Sequence, residues 1–167
     1  ASGRPDLGSG TWADSDAGTD RFACLGVAPG TVKHFKEYDD EFFARYEQRK
    51  LPQIDLAVID GAHDEYHAAF DLAEVLRRLR LPGFVVMHDS AHFANRTGQY
   101  GVAAVVDRCA SQPSVEVLNL PGNAGLTLLR FSQRVGVPVN TLPPASVFWP
   151  VAAVAAVAFL AGWRLTP

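Results

Sequence analysis

"IDLAVIDGAHDEYHAAFDL" (54–72) decides the fold. Its first seven residues form a short apolar run of the kind found in buried parallel strands. Asp64 and Glu65 then open a helix expected to run to about Arg80, with acids in its first turn and Arg77, Arg78 and Arg80 in its last, as the helix dipole favours. Tyr66, Ala69, Phe70, Ala73, Leu76 and Leu79 make its expected apolar stripe. "LPG" (81–83) ends the helix, and a second apolar strand follows, "FVVMHD" (84–89).

Working outward, "EYDDEFFARYEQRK" (37–50) suits a helix with Phe42, Phe43 and Tyr46 on one face, and "RFACLGV" (21–27) suits a short strand before it. "YGVAAVVDRCASQ" (100–112) reads as another amphipathic helix. "VEVLNL" (115–120) and "LTLLRF" (126–131), joined by "PGNAG", read as an antiparallel strand pair. Strands alternating with helices predict an α/β domain over 21–132, with a mostly parallel sheet and a C-terminal antiparallel pair.

The flanks differ. Residues 1–20 are rich in Gly, Ser and Asp and read as a loop or disordered arm. Residues 133–146, with three prolines, read as a linker. "VFWPVAAVAAVAFLAGW" (147–163) has no charge, sits at the short end of membrane-helix lengths, and carries Trp149 and Trp163 near its ends. It is also rich in weakly lipophilic alanine, so a membrane anchor and a helix docked on protein both stay open.

The chain has 167 residues, 48% hydrophobic and 20% charged, enough for one domain with a sizeable core. A net charge of -3 gives no reason to expect a nucleic-acid partner. Cys24 and Cys109 lie far apart and form no metal or redox pair, which fits a reducing, cytoplasmic setting, with membrane association only if 147–163 inserts.

The two strands over 54–60 and 84–89 each end in acid and imidazole. Adjacent parallel strands lie about 4.8 Å apart and share one carboxyl edge, where open α/β sheets bind ligands. Asp60 and Asp89 are therefore expected to converge there. Two carboxylates so placed repel unless a cation lies between them, and a hard divalent ion such as Mg²⁺ fits. His63, just beyond Asp60, can reach over the crevice and serve as a general base. His88 is a further ligand candidate, although alternation along a strand points it away from Asp89 unless the strand has ended. His67 and His92 read as helix-end or solvated residues, and His34 as a surface residue. "HDEYH" (63–67) also has the i, i+4 histidines of a zinc helix, but Asp64 stands where that motif has Glu.

From about residue 21 to 131 the chain resembles the class I S-adenosylmethionine-dependent methyltransferases. Within them it is most similar to the small-molecule O-methyltransferase-like group that includes the cephalosporin hydroxylase and macrocin methyltransferase types. "IDLAVIDGAHDEYHAAFDL", "LRLPGFVVMHDS" (79–90) and "YGVAAVVD" (100–107) carry the likeness, in that order. The resemblance implies a partial Rossmann-like sheet, S-adenosylmethionine as cofactor and a small-molecule substrate, with homo-oligomers allowed. It also implies a divalent metal on Asp60 and Asp89, with His88 at a third ligand position, and His63 as the base that deprotonates a substrate hydroxyl before methyl transfer. An iron-dependent oxygenase with the same ligands stays open.

The chain departs from that family upstream. Its glycine-rich cofactor turn follows a first strand, yet no apolar strand precedes residue 21. "DLGSG" (6–10) stands behind only five residues, as a remnant or a coincidence. The expectation is a truncated or degenerate methyltransferase, with a catalytically inactive binding or scaffold module as the alternative. The strand at 54–60 is then expected to carry an open hydrophobic edge.

Overall fold

The computed structural model describes residues 22, 24–28, 30–35, 37–92, 100–122 and 124–137. The arm at 1–20, most of the linker and the apolar segment 147–163 lie outside them. The elements are α1 (Asp39–Ala44), β1 (Ile54–Ile59), α2 (Glu65–Arg78), β2 (Leu79–His88), α3 (Val102–Ala110), β3 (Val115–Leu120) and β4 (Leu126–Phe131). They build a four-stranded sheet in the order β1-β2-β4-β3. β1 and β2 pair in parallel, Val58 opposite Val86, and β4 pairs antiparallel with both β2 and β3. This is a partial Rossmann-like sheet.

The acid tips meet because β1 and β2 are neighbours, joined by a crossover through α2 that any parallel pair requires. Among the described residues β1 is an edge strand, with nothing paired on its far side.

Two local expectations are corrected. Phe22 and Cys24 are helical, and the amides of Leu25 and Val27 both donate to the Phe22 carbonyl, 3.1 Å each, so the described part of 21–27 is a helical turn and not a strand. Gly26 in the left-handed region (φ 80°) ends it, a signal of a helix C-terminus. The helix expected over 37–50 keeps helical form only over Asp39–Ala44 and continues as turns to Lys50.

α2 is also rotated from the expected stripe. Its most buried positions are Ala68, Leu72 and Val75, whereas Tyr66, Phe70 and Ala73 are half-buried. The sheet, α1 and α3 all press on this helix, so the buried arc is wide and takes in Asp71 as well. All three helices pack on one face of the sheet, over Ala57, Ile59, Val85, Met87, Leu129 and Phe131. Phe42, Phe43 and Tyr46 of the α1 region join that core, with the Tyr46 hydroxyl donating to the Pro52 carbonyl at 2.7 Å.

Candidate active site

The site lies at the carboxyl ends of β1 and β2. Asp60 follows β1 directly, and Gly61 and Ala62 lead to His63, one residue before the N-cap of α2. Asp64 caps that helix: one carboxylate oxygen accepts the His67 amide at 3.0 Å and the other lies 2.6 Å from His67 Nδ1. This fixes the helix start and thereby the loop that carries His63. The His63 carbonyl accepts the Gly101 amide at 2.7 Å, and its ring stacks on Tyr100 with centroids 5.0 Å apart. A Cβ on Gly101 would meet the Glu65 backbone at 2.3 Å, so only glycine lets the start of α3 approach the start of α2 this closely.

On the other side β2 ends at His88, and Asp89 adopts φ 54°. That left-handed residue breaks the strand's alternation, which is how His88 and Asp89 come to face the same place. The turn before β4 clamps the following backbone: Ala91 N–H donates to the Ala124 carbonyl at 2.8 Å, and Ser90 Oγ lies 2.8 Å from Thr127 Oγ1.

His63 Nε2 lies 2.8 Å from Asp89 Oδ2 and 3.8 Å from Asp60 Oδ1. His88 Nδ1 sits 3.1 Å from Asp60 Oδ1 and 3.2 Å from Asp89 Oδ1, near enough for ion pairing but not aligned as a hydrogen bond. The Asp60 side chain is 54% exposed and that of Asp89 only 9%, so the cluster has a solvent-facing wall and a buried one. One donor atom each from Asp60, His63 and Asp89 falls within 4.8 Å of the others. Donors around a small divalent ion held at about 2.1 Å stand about 3 Å apart. The His63–Asp89 pair already has that spacing, and Asp60, within 4.8 Å of both, would close the rest with a shift of at most about 2 Å. Two carboxylate oxygens and one imidazole nitrogen suit Mg²⁺, Mn²⁺ or Fe²⁺.

The other histidines stand apart. His67 belongs to the α2 cap, and its pKa is raised by the hydrogen bond to Asp64 against the opposing effect of burial. His92 lies 3.5 Å from Asp107 on the surface. His34 is half-buried with both ring nitrogens shielded, where the sequence had suggested a surface residue. Cys109 is buried and Cys24 exposed, and both are free thiols.

Sequence reasoning missed Tyr100 and a pair of buried acids. Asp71 lines a narrow crevice with Phe43, Gly61 and Val75, immediately beside Asp60. Burial raises the Asp71 pKa well above the ordinary value, and the neighbouring Asp39 adds to it; Asp39 is itself pushed up to about 6, chiefly by burial.

A model of the methyltransferase domain matches residues 9–90. Over these residues the chain belongs to the class I S-adenosylmethionine-dependent methyltransferase superfamily. Two solved structures share the fold of this methyltransferase-family chain. One, from Corynebacterium glutamicum, is 17% identical with a TM-score of 0.54, the match covering 72% of this chain and 58% of that one. The other, from Klebsiella pneumoniae, is described as a candidate O-methyltransferase and is also 17% identical with a TM-score of 0.54, covering 72% of this chain and 60% of that one. The chain thus spans about three fifths of the length of these relatives. No curated protein sequence matches it.

Among the described residues no strand precedes β1 in the sheet, and no glycine turn links a strand to a helix ahead of it.

Proposed function

We propose that this chain carries the acceptor side of a metal-assisted O-methyltransferase acting on a small molecule, in truncated or degenerate form. The observation that carries the reading is the convergence of Asp60, His63 and Asp89 at the ends of two adjacent parallel strands. Asp60 and Asp89 would hold a divalent cation, with His88 beside them. Such an ion lowers the pKa of a hydroxyl bound to it. His63, braced by Tyr100 and the Gly101 amide, is placed to take the hydroxyl proton, and the buried wall at Asp89 keeps water from one side of the exchange.

Titration calorimetry with Mn²⁺ and Mg²⁺ tests the cation. Saturable binding that weakens at least tenfold in Asp60→Asn supports the reading, and equal affinity in wild type and variant refutes it. S-adenosylmethionine added to the same protein should bind weakly or not at all if the form is truncated or degenerate. Micromolar affinity would contradict the truncated form. A catalytically inactive binding module is the second reading, favoured by the edge of β1 that no strand among the described residues pairs. It predicts metal affinity indifferent to Asp60.

A further inference from the structure

Two imidazoles reach the acid pair, and they reach it differently. His63 Nε2 lies 2.8 Å from Asp89 Oδ2 but 3.8 Å from Asp60 Oδ1. Its ring is stacked on Tyr100 and its carbonyl accepts the Gly101 amide, so a shift toward Asp60 would disturb both contacts. His88 Nδ1 stands 3.1 Å from Asp60 Oδ1 and 3.2 Å from Asp89 Oδ1, close to one oxygen of each carboxylate. The two histidines thus use different oxygens of Asp89, Oδ2 for His63 and Oδ1 for His88.

His88 Nδ1 is also an orphan. It is shielded from solvent and makes no hydrogen bond, although two carboxylate oxygens lie this close. A shielded polar atom without a partner is costly, and a proton shared with either oxygen is misaligned here. A cation among the three atoms would satisfy all of them together. Donors around an ion held at about 2.1 Å stand about 3 Å apart, and both His88 distances already have that spacing. The left-handed Asp89 makes this possible, because neighbours in an unbroken strand point to opposite faces.

We propose that His88 Nδ1 joins Asp60 Oδ1 and Asp89 Oδ1 as a ligand, and that this nitrogen selects a first-row transition ion over Mg²⁺ or Ca²⁺. The inference rests on the metal-assisted reading above and names the class of ion that reading leaves open. His63 then stays outside the ligand set, held on Asp89 Oδ2 and free to serve as the base. Ca²⁺ takes oxygen ligands, and Mg²⁺ gives up its water reluctantly, so neither gains much from an imidazole. Ions such as Fe²⁺, Co²⁺ and Zn²⁺ do gain, and for a mixed nitrogen and oxygen site affinity rises from Mn²⁺ to Co²⁺. The carboxylates supply the charge that holds a divalent ion, and the imidazole supplies the discrimination.

Calorimetry on the full chain with Co²⁺, Mn²⁺ and Mg²⁺ tests the selection. Co²⁺ should bind at least tenfold more tightly than Mg²⁺, with Mn²⁺ between them. His88→Asp puts an oxygen in place of the nitrogen and should cut the Co²⁺ to Mg²⁺ ratio at least tenfold while Mg²⁺ still binds, a change of preference that misfolding would not produce. Electron spin-echo spectra of the Mn²⁺ complex give a second readout. The ¹⁴N coupling of a bound imidazole should be present in the wild type, persist in His63→Gln and vanish in His88→Asp. A coupling lost in His63→Gln and kept in His88→Asp would overturn the proposal in favour of His63 as the nitrogen ligand. An equal ion ratio in wild type and His88→Asp would overturn it and leave the metal-assisted reading standing. No saturable binding of any of these ions would overturn both.

Discussion

The imidazole Nε2 of His63 stands 2.8 Å from Oδ2 of Asp89, joining the loop after β1 to the first residue beyond β2. The contact depends on two unrelated local events. Asp64 pins the start of α2 one residue after His63, and Asp89 turns into the left-handed region as its strand ends. Neither alone would bring the groups together.

Asp89 therefore has a backbone role and a charge role that substitutions can separate. Asparagine tolerates positive φ better than alanine, so Asp89→Asn should keep most of the stability while Asp89→Ala loses about 1 kcal/mol. Both should weaken Mn²⁺ binding at least tenfold, since each removes the buried carboxylate. Thermal melts and calorimetry on the two variants check this; metal binding retained in Asp89→Asn would count against the carboxylate as ligand.

Asp39 and Asp71 make folding sensitive to pH. Burial holds Asp39 up to about 6, with Asp40 adding to it and both His67 and the hydrogen bond to Asp71 opposing, and burial raises Asp71 well above its ordinary value. A carboxyl whose folded pKa exceeds its unfolded value binds protons more tightly when folded. Its stabilising effect is complete below the ordinary carboxylate range and disappears as pH rises through the folded pKa. Stability should thus decline between about pH 4 and pH 7. Asp71→Asn should flatten that decline and raise stability at pH 8 by about 1–3 kcal/mol. Urea titrations at several pH values give the slope, and a wild-type stability rising across this window would contradict the assignment.

The meeting of Asp60 and Asp89 was legible because parallel strands joined by one helix have their carboxyl ends on one edge, a rule that needs no side-chain detail. The β3–β4 pair was legible to the residue, since apolar runs flank a glycine-containing turn. The orientation of α2 was not. Periodicity reports a helix's apolar stripe but not how many neighbours press on it, and here the arc extends to the polar Asp71. Tyr100 was invisible for a related reason: nothing in "QYGV" announces that a ring will stack on His63, because the pairing arises only when α3 packs against α2. The turn at 21–27 was misread because a short apolar run bounded by glycine fits either secondary structure.

Asp64 ties helix capping to the site. Burial raises its pKa, but the His67 side-chain and amide hydrogen bonds outweigh that and leave it lowered. Asp64→Ala removes the cap, at a cost of about 1 kcal/mol. It should also drop the His67 pKa, measurable by NMR titration of the ring protons. The raised His67 pKa means its part of the stability is present below the unfolded value and is lost as pH rises through the folded one. An unchanged His67 titration in the variant would show that Asp64 is not its partner in solution.

Gly101 offers the sharpest steric test. Its φ of -121° suits any residue, so strain in the backbone is not the issue. The obstacle is the Glu65 backbone, 2.3 Å from where a Cβ would sit, together with the amide that Gly101 donates to the His63 carbonyl. Gly101→Ala must push α3 away from α2, an overpacking cost of about 1–3 kcal/mol. It should also loosen the Tyr100 stack and the loop bearing His63, so metal affinity falls although no ligand has changed. Gly122→Ala is the control, because a Cβ there meets nothing within 4 Å. Melting temperature and Mn²⁺ affinity should drop together in Gly101→Ala and stay level in Gly122→Ala. A Gly101→Ala protein that melts lower but binds Mn²⁺ as tightly as wild type would mean that the helix contact supports the fold without positioning the loop that carries Asp60 and His63.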